Sequence, residues 1–344
     1  MFATQRPTHA MSASNSSTTA NAFARAAPQL LETGYAVVDD AISPALAAEL
    51  HACCAALHES RVLRQHRFGF RPSASAKPQI FEKPHIFECE LGEPQFLASE
   101  HAQRLLAALT ALDCADSARA AFPELRLLPG DDAVTVKLQC NEGGGGCFPL
   151  HYDNAGPPSK RRLTCLVYLN PGWADGDGGE LQLAPWLRPP VDVAPLCGRV
   201  VLFNSETMLH RTLPANARRF CFTVWIDGAD SNGPGSLSLV AKGRAEDTCL
   251  GLAASPAQRV LSRAVYAEAY AQSLEDCLRG THALGPMLAS HDAHVAASAA
   301  NAPLARLVDA ARGLARRAEE PARVELRVGE DGVAVATVAP SYKA

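Results

Sequence analysis

The chain has 344 residues, 47% of them hydrophobic and 20% charged, with a formal net charge of −4. That length allows one large domain or two ordinary ones, and the composition is that of a globular protein. A mildly acidic chain lacks the positive charge needed to neutralise nucleic-acid phosphates, and no run of eighteen apolar residues is present to span a bilayer. Neither a nucleic-acid partner nor a membrane is therefore expected.

The first 31 residues contain no acidic side chain and are rich in Ala, Ser and Thr, with Arg6 and Arg25 among them. This predicts a disordered tail over residues 1–29, and the composition also fits a mitochondrial targeting segment. Order is expected from near Leu30. Gly34–Asp39 reads as a strand, after which Ser43 caps a helix that starts at Pro44 and runs to about His58. The polar stretch from Arg61 to Lys83, with its Gly and Pro, reads as a loop. Glu100–Leu112 carries apolar residues at helical spacing.

From Ala133 the period changes. Val134, Val136, Leu138 and Cys140 alternate with Thr135, Lys137 and Gln139, as in a half-buried strand. Further strands are expected at Leu163–Leu169, Gly179–Leu183, Arg199–Phe203 and Arg219–Ile226, separated by turns such as Asp175-Gly176-Asp177-Gly178. Many short strands with turn signals predict an antiparallel sandwich or barrel, its outer face covered by the preceding helices. Beyond about Gly235, helices are expected at Ala257–Arg279 and Leu304–Arg317, followed by a terminal hairpin around Gly329-Glu330-Asp331-Gly332. The expected organisation is a tail (1–29), a core domain (30–230) and a C-terminal extension (231–344). The extension either packs against the barrel or recognises a substrate or partner. Eleven cysteines are scattered from Cys53 to Cys277 without a Cys-x-x-Cys pair. With no secretory signal in view, they read as small buried residues in a reducing compartment, which predicts a cytoplasmic or nuclear protein.

One constellation carries chemistry. His151 and Asp153 stand two apart, so on a strand they share a face, and His210 can join them from another strand. Two histidines and a carboxylate that leave metal positions open are the ligand set of non-haem Fe(II) oxygenases. Alone, a His-x-Asp triplet or a single histidine is more often an ordinary surface or core group. Three other motifs fall short. Gly143–Gly146 lacks a following Gly-Lys-Ser/Thr, Asp175-x-Asp177 lacks the closing glutamate of a calcium loop, and Cys140, Cys147 and His151 lack a fourth zinc ligand.

The flanking residues decide the matter. His151-Tyr152-Asp153-Asn154, the strand Leu163–Asn170, Trp173 and Gly178-Gly179-Glu180-Leu181 form the first part of a longer pattern. Gly198–Phe203, His210–Pro214 and Arg219–Trp225 complete it. In order and spacing this stretch from Lys137 to Asp227 resembles the prolyl 4-hydroxylase branch of the Fe(II)/2-oxoglutarate dioxygenases, most closely the hypoxia-sensing prolyl hydroxylases. The resemblance implies a mainly β core, a double-stranded β-helix or jelly roll, with flanking helices. It implies that His151, Asp153 and His210 are the catalytic iron ligands and that Arg219 pairs with the far carboxylate of 2-oxoglutarate. Tyr168 would add a hydrogen bond to that carboxylate, while Thr223 and Trp225 would line the co-substrate pocket. Fe(II), 2-oxoglutarate and O2 are the implied cofactor and co-substrates, with ascorbate as an accompanying reductant and succinate and CO2 as products. A protein or peptide is the implied partner.

Strand period places Arg219 with Cys221, Thr223 and Trp225 on the inner face and leaves Arg218 outside; Phe220 and Phe222 would pack under the helices. Arg161 stands where the hypoxia-sensing enzymes carry a basic residue beside the peptide, or is one of three solvated charges in Lys160-Arg161-Arg162. A tyrosine frequent in the family near Cys140 or Asn141 is missing here. Three functions stay open: a peptidyl-prolyl 4-hydroxylase, a same-fold oxygenase acting on a non-prolyl or small-molecule substrate, and a silent jelly roll that only binds partners.

Overall fold

The period-two pattern builds two antiparallel sheets. The computed structural model describes residues 9–39, 41–71, 77–154, 156–229, 244–317, 324–328 and 334–338, with side chains between Thr18 and Arg317. Its strands are β1 (Tyr35–Val38), β2 (Arg64–Phe70), β3 (Gln79–Glu90), β4 (Val134–Asn141), β5 (Gly146–His151), β6 (Arg161–Tyr168) and β7 (Leu181–Ala184). They continue with β8 (Val191–Val193), β9 (Val200–Asn204), β10 (Leu209–Ala215), β11 (Arg219–Asp227), β12 (Val324–Val328) and β13 (Ala334–Val338). The large sheet runs β12-β13-β1-β9-β6-β11-β4-β3-β2 and the small one β5-β10-β7-β8. Tyr35, Val37, Leu166, Tyr168 and Val201 of the large sheet share an apolar core with Leu181, Leu183, Val191 and Val193 of the small one. This pair of sheets is the jelly roll, flanked by helices as expected.

Alternation along the central strand β11 fixes the opposite face. Phe220, Phe222, Val224 and Ile226 enter a second core with Leu50, Leu57, Leu105 and Phe122, supplied by helices α2 (Pro44–Glu59), α3 (Pro94–Leu97), α4 (Ala102–Leu112) and α5 (Cys114–Ala121), all of which follow α1 (His9–Thr33). The cap on α2 forms as its sequence dictates: the Ser43 hydroxyl accepts from the Leu46 amide at 3.3 Å, and Pro44 occupies the first turn.

From His9 onward helix α1 replaces the disordered tail expected over residues 1–29; residues 1–8 lie outside the described residues. Ala22, Phe23, Ala26 and Leu30 are buried in the helix-side core; Phe23, fully buried, stacks on Phe122 with ring centroids 6.0 Å apart. Thr19 donates to the Ala41 carbonyl at 3.0 Å. Apolar residues at i, i+1, i+4 and i+8 make the buried stripe, but Pro28 inside the helix and an outer face with only Arg25 and Glu32 as exposed charges disguised it.

The loop expected from Arg61 to Lys83 is largely strand: β2 and β3 pair antiparallel, and β3 joins β4. The inner face of this hairpin mixes His66 and Lys83 with Phe68 and Phe81, so the apolar alternation that signals a strand is weak there. Strands β5 and β10 carry His151 and His210, which were expected on strands, while β8, only three residues long, has no counterpart among the expected strands. The helix expected over Ala257–Arg279 is broken at Tyr266 into α7 (Gln258–Val265) and α8 (Ala267–Leu278), between α6 (Ala245–Gly251) and the pair α9 (Leu284–Ala300) and α10 (Ala302–Arg317). Helices α6, α7 and α10 close around Trp186, whose indole donates to the Cys249 carbonyl at 2.7 Å. The terminal strands β12 and β13 extend the large sheet beside β1; the turn between them lies outside the described residues.

Nine cysteines are unpaired, eight of them buried. Cys147 on β5 and Cys277 on α8 depart from the expectation and form a disulfide. No helix among the described residues is long and apolar enough to cross a membrane. Replacing Phe23 by Ala empties a fully enclosed ring site, so a loss of about 3–5 kcal/mol in unfolding free energy is expected. Chemical denaturation measures it; a loss below ~1 kcal/mol would mean that α1 is not part of the folded core.

Candidate active site

Strand β5 ends at His151, and β10 sets His210 directly opposite it in the antiparallel register. This pairing brings the two imidazoles together, with ring centroids 4.3 Å apart. Asp153 arrives differently from the expectation: it lies two residues past the end of β5, in a bend rather than on the strand face. Its Oδ1 sits 3.6 Å from His151 Nε2 and 3.7 Å from His210 Nε2. The three potential ligand atoms all lie within 4.8 Å of one another, a spacing that can hold one metal ion.

Each ligand is oriented by a partner behind it. His151 Nδ1 meets the Pro149 carbonyl at 2.8 Å and His210 Nδ1 the Met208 carbonyl at 3.1 Å. A carbonyl only accepts, so both Nδ1 atoms carry the proton and both Nε2 lone pairs face the centre. The Asp153 Oδ2 atom accepts from Thr164 Oγ1 at 2.7 Å and from the Trp225 indole at 3.0 Å, which leaves Oδ1 for the centre. Thr164 has spent its only proton on Asp153, so its 2.8 Å contact with Ser205 must be donated by Ser205. Burial would raise the Asp153 pKa, but His210, His151 and the indole outweigh it and hold the group well below the carboxylate range. Burial and the neighbouring His151 pull His210 down to about 4, against Asp153. At neutral pH the site therefore presents a carboxylate and a neutral imidazole, the forms that bind a metal.

Deeper in the same cavity, which measures about 350 Å³, stands Arg219. It is 2% exposed, while Arg218 is exposed, as the strand period requires. Its guanidinium lies 4.8 Å from the centroid of the Tyr168 ring, and its Nη1 donates to Cys221 Sγ at 3.4 Å. Arg219 Nε and the Tyr168 hydroxyl are both buried without a hydrogen-bond partner. Burial drives the Tyr168 pKa up, so the hydroxyl keeps its proton. Two adjacent unsatisfied donors, one of them charged, fit a carboxylate guest. Gly179 keeps the space open: its φ is +77°, and a Cβ there would stand 2.9 Å from Arg219 Cδ. Thr223 and Trp225 line this cavity too, and Trp225 has the additional contact with Asp153.

Other contributors carried no motif. Thr164 and Ser205 look like ordinary strand and turn residues, and their role emerges only from the packing of β6 against the metal loop. The C-terminal helices hold that loop as well. Leu150 N donates to Ser273 Oγ at 3.1 Å, the Tyr152 hydroxyl to Gln258 Oε1 at 3.4 Å, and Arg259 to the Asn154 carbonyl. Arg161 resolves toward the site: its guanidinium lies 3.7 Å from the centroid of the Trp225 indole and lines the cavity. The zinc alternative fails, since Cys147 is paired with Cys277 and Cys140 faces the helix-side core.

A model of the 2OG-Fe(II) oxygenase superfamily matches residues 136–227, the stretch that holds every candidate residue. Among solved structures, a prolyl 4-hydroxylase from Phytophthora capsici is 35% identical; the match covers 92% of this chain and 98% of that one, with a TM-score of 0.69. The chain belongs to the prolyl 4-hydroxylase family. A prolyl hydroxylase from Trichoplax adhaerens, in complex with a peptide fragment of the hypoxia-inducible factor, shares the fold at 20% identity and a TM-score of 0.50, over 61% of this chain and 91% of that one. As a 2OG-Fe(II) oxygenase of the prolyl 4-hydroxylase family, the protein uses Fe(II), 2-oxoglutarate and O2.

The hydroxyl behind Asp153 offers a direct test. Thr164→Val keeps the shape of the side chain and removes the donor, and is expected to weaken Mn(II) or Co(II) binding by about 10–100-fold, the usual cost of losing an outer partner of a ligand. Metal titration of the folded variant reads this out, and unaltered affinity would show that the carboxylate does not depend on Thr164.

Proposed function

We propose that this oxygenase hydroxylates a prolyl residue of a protein substrate, with His151, Asp153 and His210 holding Fe(II) and Arg219 with Tyr168 holding the far carboxylate of 2-oxoglutarate. Bound there, iron(II) and 2-oxoglutarate supply an O2-dependent oxidation that hydroxylates the substrate and releases succinate and CO2. The residues themselves orient and exclude. Thr164 and Trp225 aim one oxygen of Asp153 at the centre, and the buried guanidinium fixes which end of the keto acid faces the iron. Leu166, Leu181 and Phe203 line the cavity and keep water from it.

One observation carries the oxygenase part of this reading: a buried arginine without a carboxylate partner among the described residues, in the same cavity as a three-ligand cluster. A binding-only jelly roll has no use for either, and leaving such groups uncompensated is costly. The prolyl substrate is supported by the 35% identity, over nearly the whole of both chains, with the Phytophthora capsici prolyl 4-hydroxylase.

Proline-containing peptides are expected to stimulate succinate formation by the Fe(II)-loaded enzyme, with mass spectrometry locating one added oxygen on proline. Stimulation only by other substrates would remove the prolyl assignment. His210→Ala is expected to abolish turnover and the visible absorption that Fe(II) and 2-oxoglutarate develop together under anaerobic conditions; a fully active variant would refute the metal assignment. Arg219→Ala is expected to raise the KM for 2-oxoglutarate by about 100-fold, because truncating one partner of a buried charge pair costs about 2–5 kcal/mol and each 1.4 kcal/mol is tenfold.

A further inference from the structure

The cavity's charge does not follow that of the chain. Lys83, Lys137, Arg161 and Arg219 line it with a single carboxylate, Asp153, although the protein as a whole carries a net charge of −4. Arg219 faces the co-substrate end, Lys137 pairs with Glu88 at 3.2 Å, and Arg161 and Lys83 each lie against an aromatic ring. Of these last two, only Lys83 is buried. It is 6% exposed, and its ammonium lies 3.5 Å from the centroid of Phe148 and 5.8 Å from that of Phe68. Among the described residues no carboxylate pairs with it; on its own strand Glu82 pairs with Arg67, and Glu88 is held by His66 at 2.7 Å and by Lys137.

An aromatic face offsets part of the cost of burying an ammonium, but a compensating anion is the usual partner of a buried cation. Burial pulls the Lys83 pKa down to about 7, with Glu88 pulling it up and Lys137 pulling it down. A guest carboxylate would restore the charged form. Phe148, beneath the ammonium, is three residues before the candidate ligand His151 on the same strand β5. An anion bound to Lys83 would therefore share the cavity with the candidate metal ligands.

We propose that Lys83 recognises an acidic side chain of the protein substrate, close in sequence to the residue that is hydroxylated. This rests on the protein-substrate reading above and adds a specificity determinant to it. The test uses fluorescent neutral peptides with one proline, in which a Glu is scanned through each neighbouring position and compared with Gln. Binding is measured on the enzyme loaded with Mn(II) and 2-oxoglutarate, and succinate release on the Fe(II) enzyme.

A Glu at one position is expected to tighten binding about 10–100-fold over Gln, as befits a charged hydrogen bond. Lys83→Met is expected to erase that difference by weakening the Glu peptide alone, and Lys83→Glu to transfer the preference to a Lys peptide. Equal binding of Glu and Gln peptides by the wild type at every position would overturn the proposal, and this comparison needs no variant to fold. A Glu preference that survives Lys83→Met would overturn it as well, as would a Lys83→Met loss equal for both peptides. The two readings fail separately. Peptides that bind with a Lys83-dependent acid preference but release no succinate would count against prolyl hydroxylation and not against Lys83.

Discussion

Strand β11 carries a constraint on which both halves of the molecule depend: a strand has two faces and its residues must alternate between them. At the centre of the large sheet, the even-numbered residues Phe220, Phe222, Val224 and Ile226 are committed to the helix-side core. The odd-numbered residues Arg219, Cys221, Thr223 and Trp225 are thereby committed to the other face. A register slip of one residue would expose the phenylalanines and withdraw the guanidinium and the indole together. The helix-side core is large and apolar, so the register is strongly fixed. The position of Arg219 and the hydrogen bond from Trp225 to Asp153 are consequences of hydrophobic packing on the far side of the sheet.

That packing also holds groups which folding alone would not favour. Arg219 Nε and the Tyr168 hydroxyl are buried with no partner, and Lys83 is buried against aromatic rings. Unsatisfied donors of this kind destabilise a folded chain, and they persist because the surrounding sheets leave them no route to solvent. Asp153 shows the opposite arrangement, since four groups (two imidazoles, a hydroxyl and an indole) face one carboxylate. The site is thus divided into a satisfied centre that presents ligand lone pairs and an unsatisfied periphery that presents donors and charge. The first suits a metal and the second suits anions.

What could be read from sequence follows from how local the physical signal is. The alternation of β4 and β11, the Ser43-Pro44 cap and the choice of Arg219 over Arg218 depend on neighbours within a few residues, and each emerged in the structure. His210 was legible as a partner for His151 only through its family pattern, because the β5–β10 register that sets them face to face is a pairing between distant segments. Helix α1 was misread since one proline and a bland outer face outweighed a four-residue apolar stripe. The β2–β3 hairpin was misread because its inner face interleaves His66 and Lys83 of the cavity with Phe68 and Phe81, which breaks the apolar alternation. Thr164 and Ser205 had no signal at all: their function lies in distances to Asp153, which no spacing along the chain records.

The C-terminal helices show why a segment without a chemical motif can still belong to the active site. Asp153 lies beyond the end of its strand, so no ladder of backbone hydrogen bonds fixes it. The residues flanking the ligands are instead tied to α7 and α8 through Leu150 to Ser273, Tyr152 to Gln258 and Asn154 to Arg259. Arg211, next to His210, pairs with Asp276 of α8 at 3.1 Å. The Cys147–Cys277 disulfide joins the same two elements across 130 residues of chain, a separation over which a cross-link restrains the unfolded state strongly. Leu278 and Met287 then reach the cavity itself. A loop that must hold a carboxylate in position, yet cannot be part of a sheet, needs a rigid body behind it. In this chain that body is built from residues more than a hundred positions later, which is why the metal ligands could be recognised in the sequence long before anything that keeps them in place.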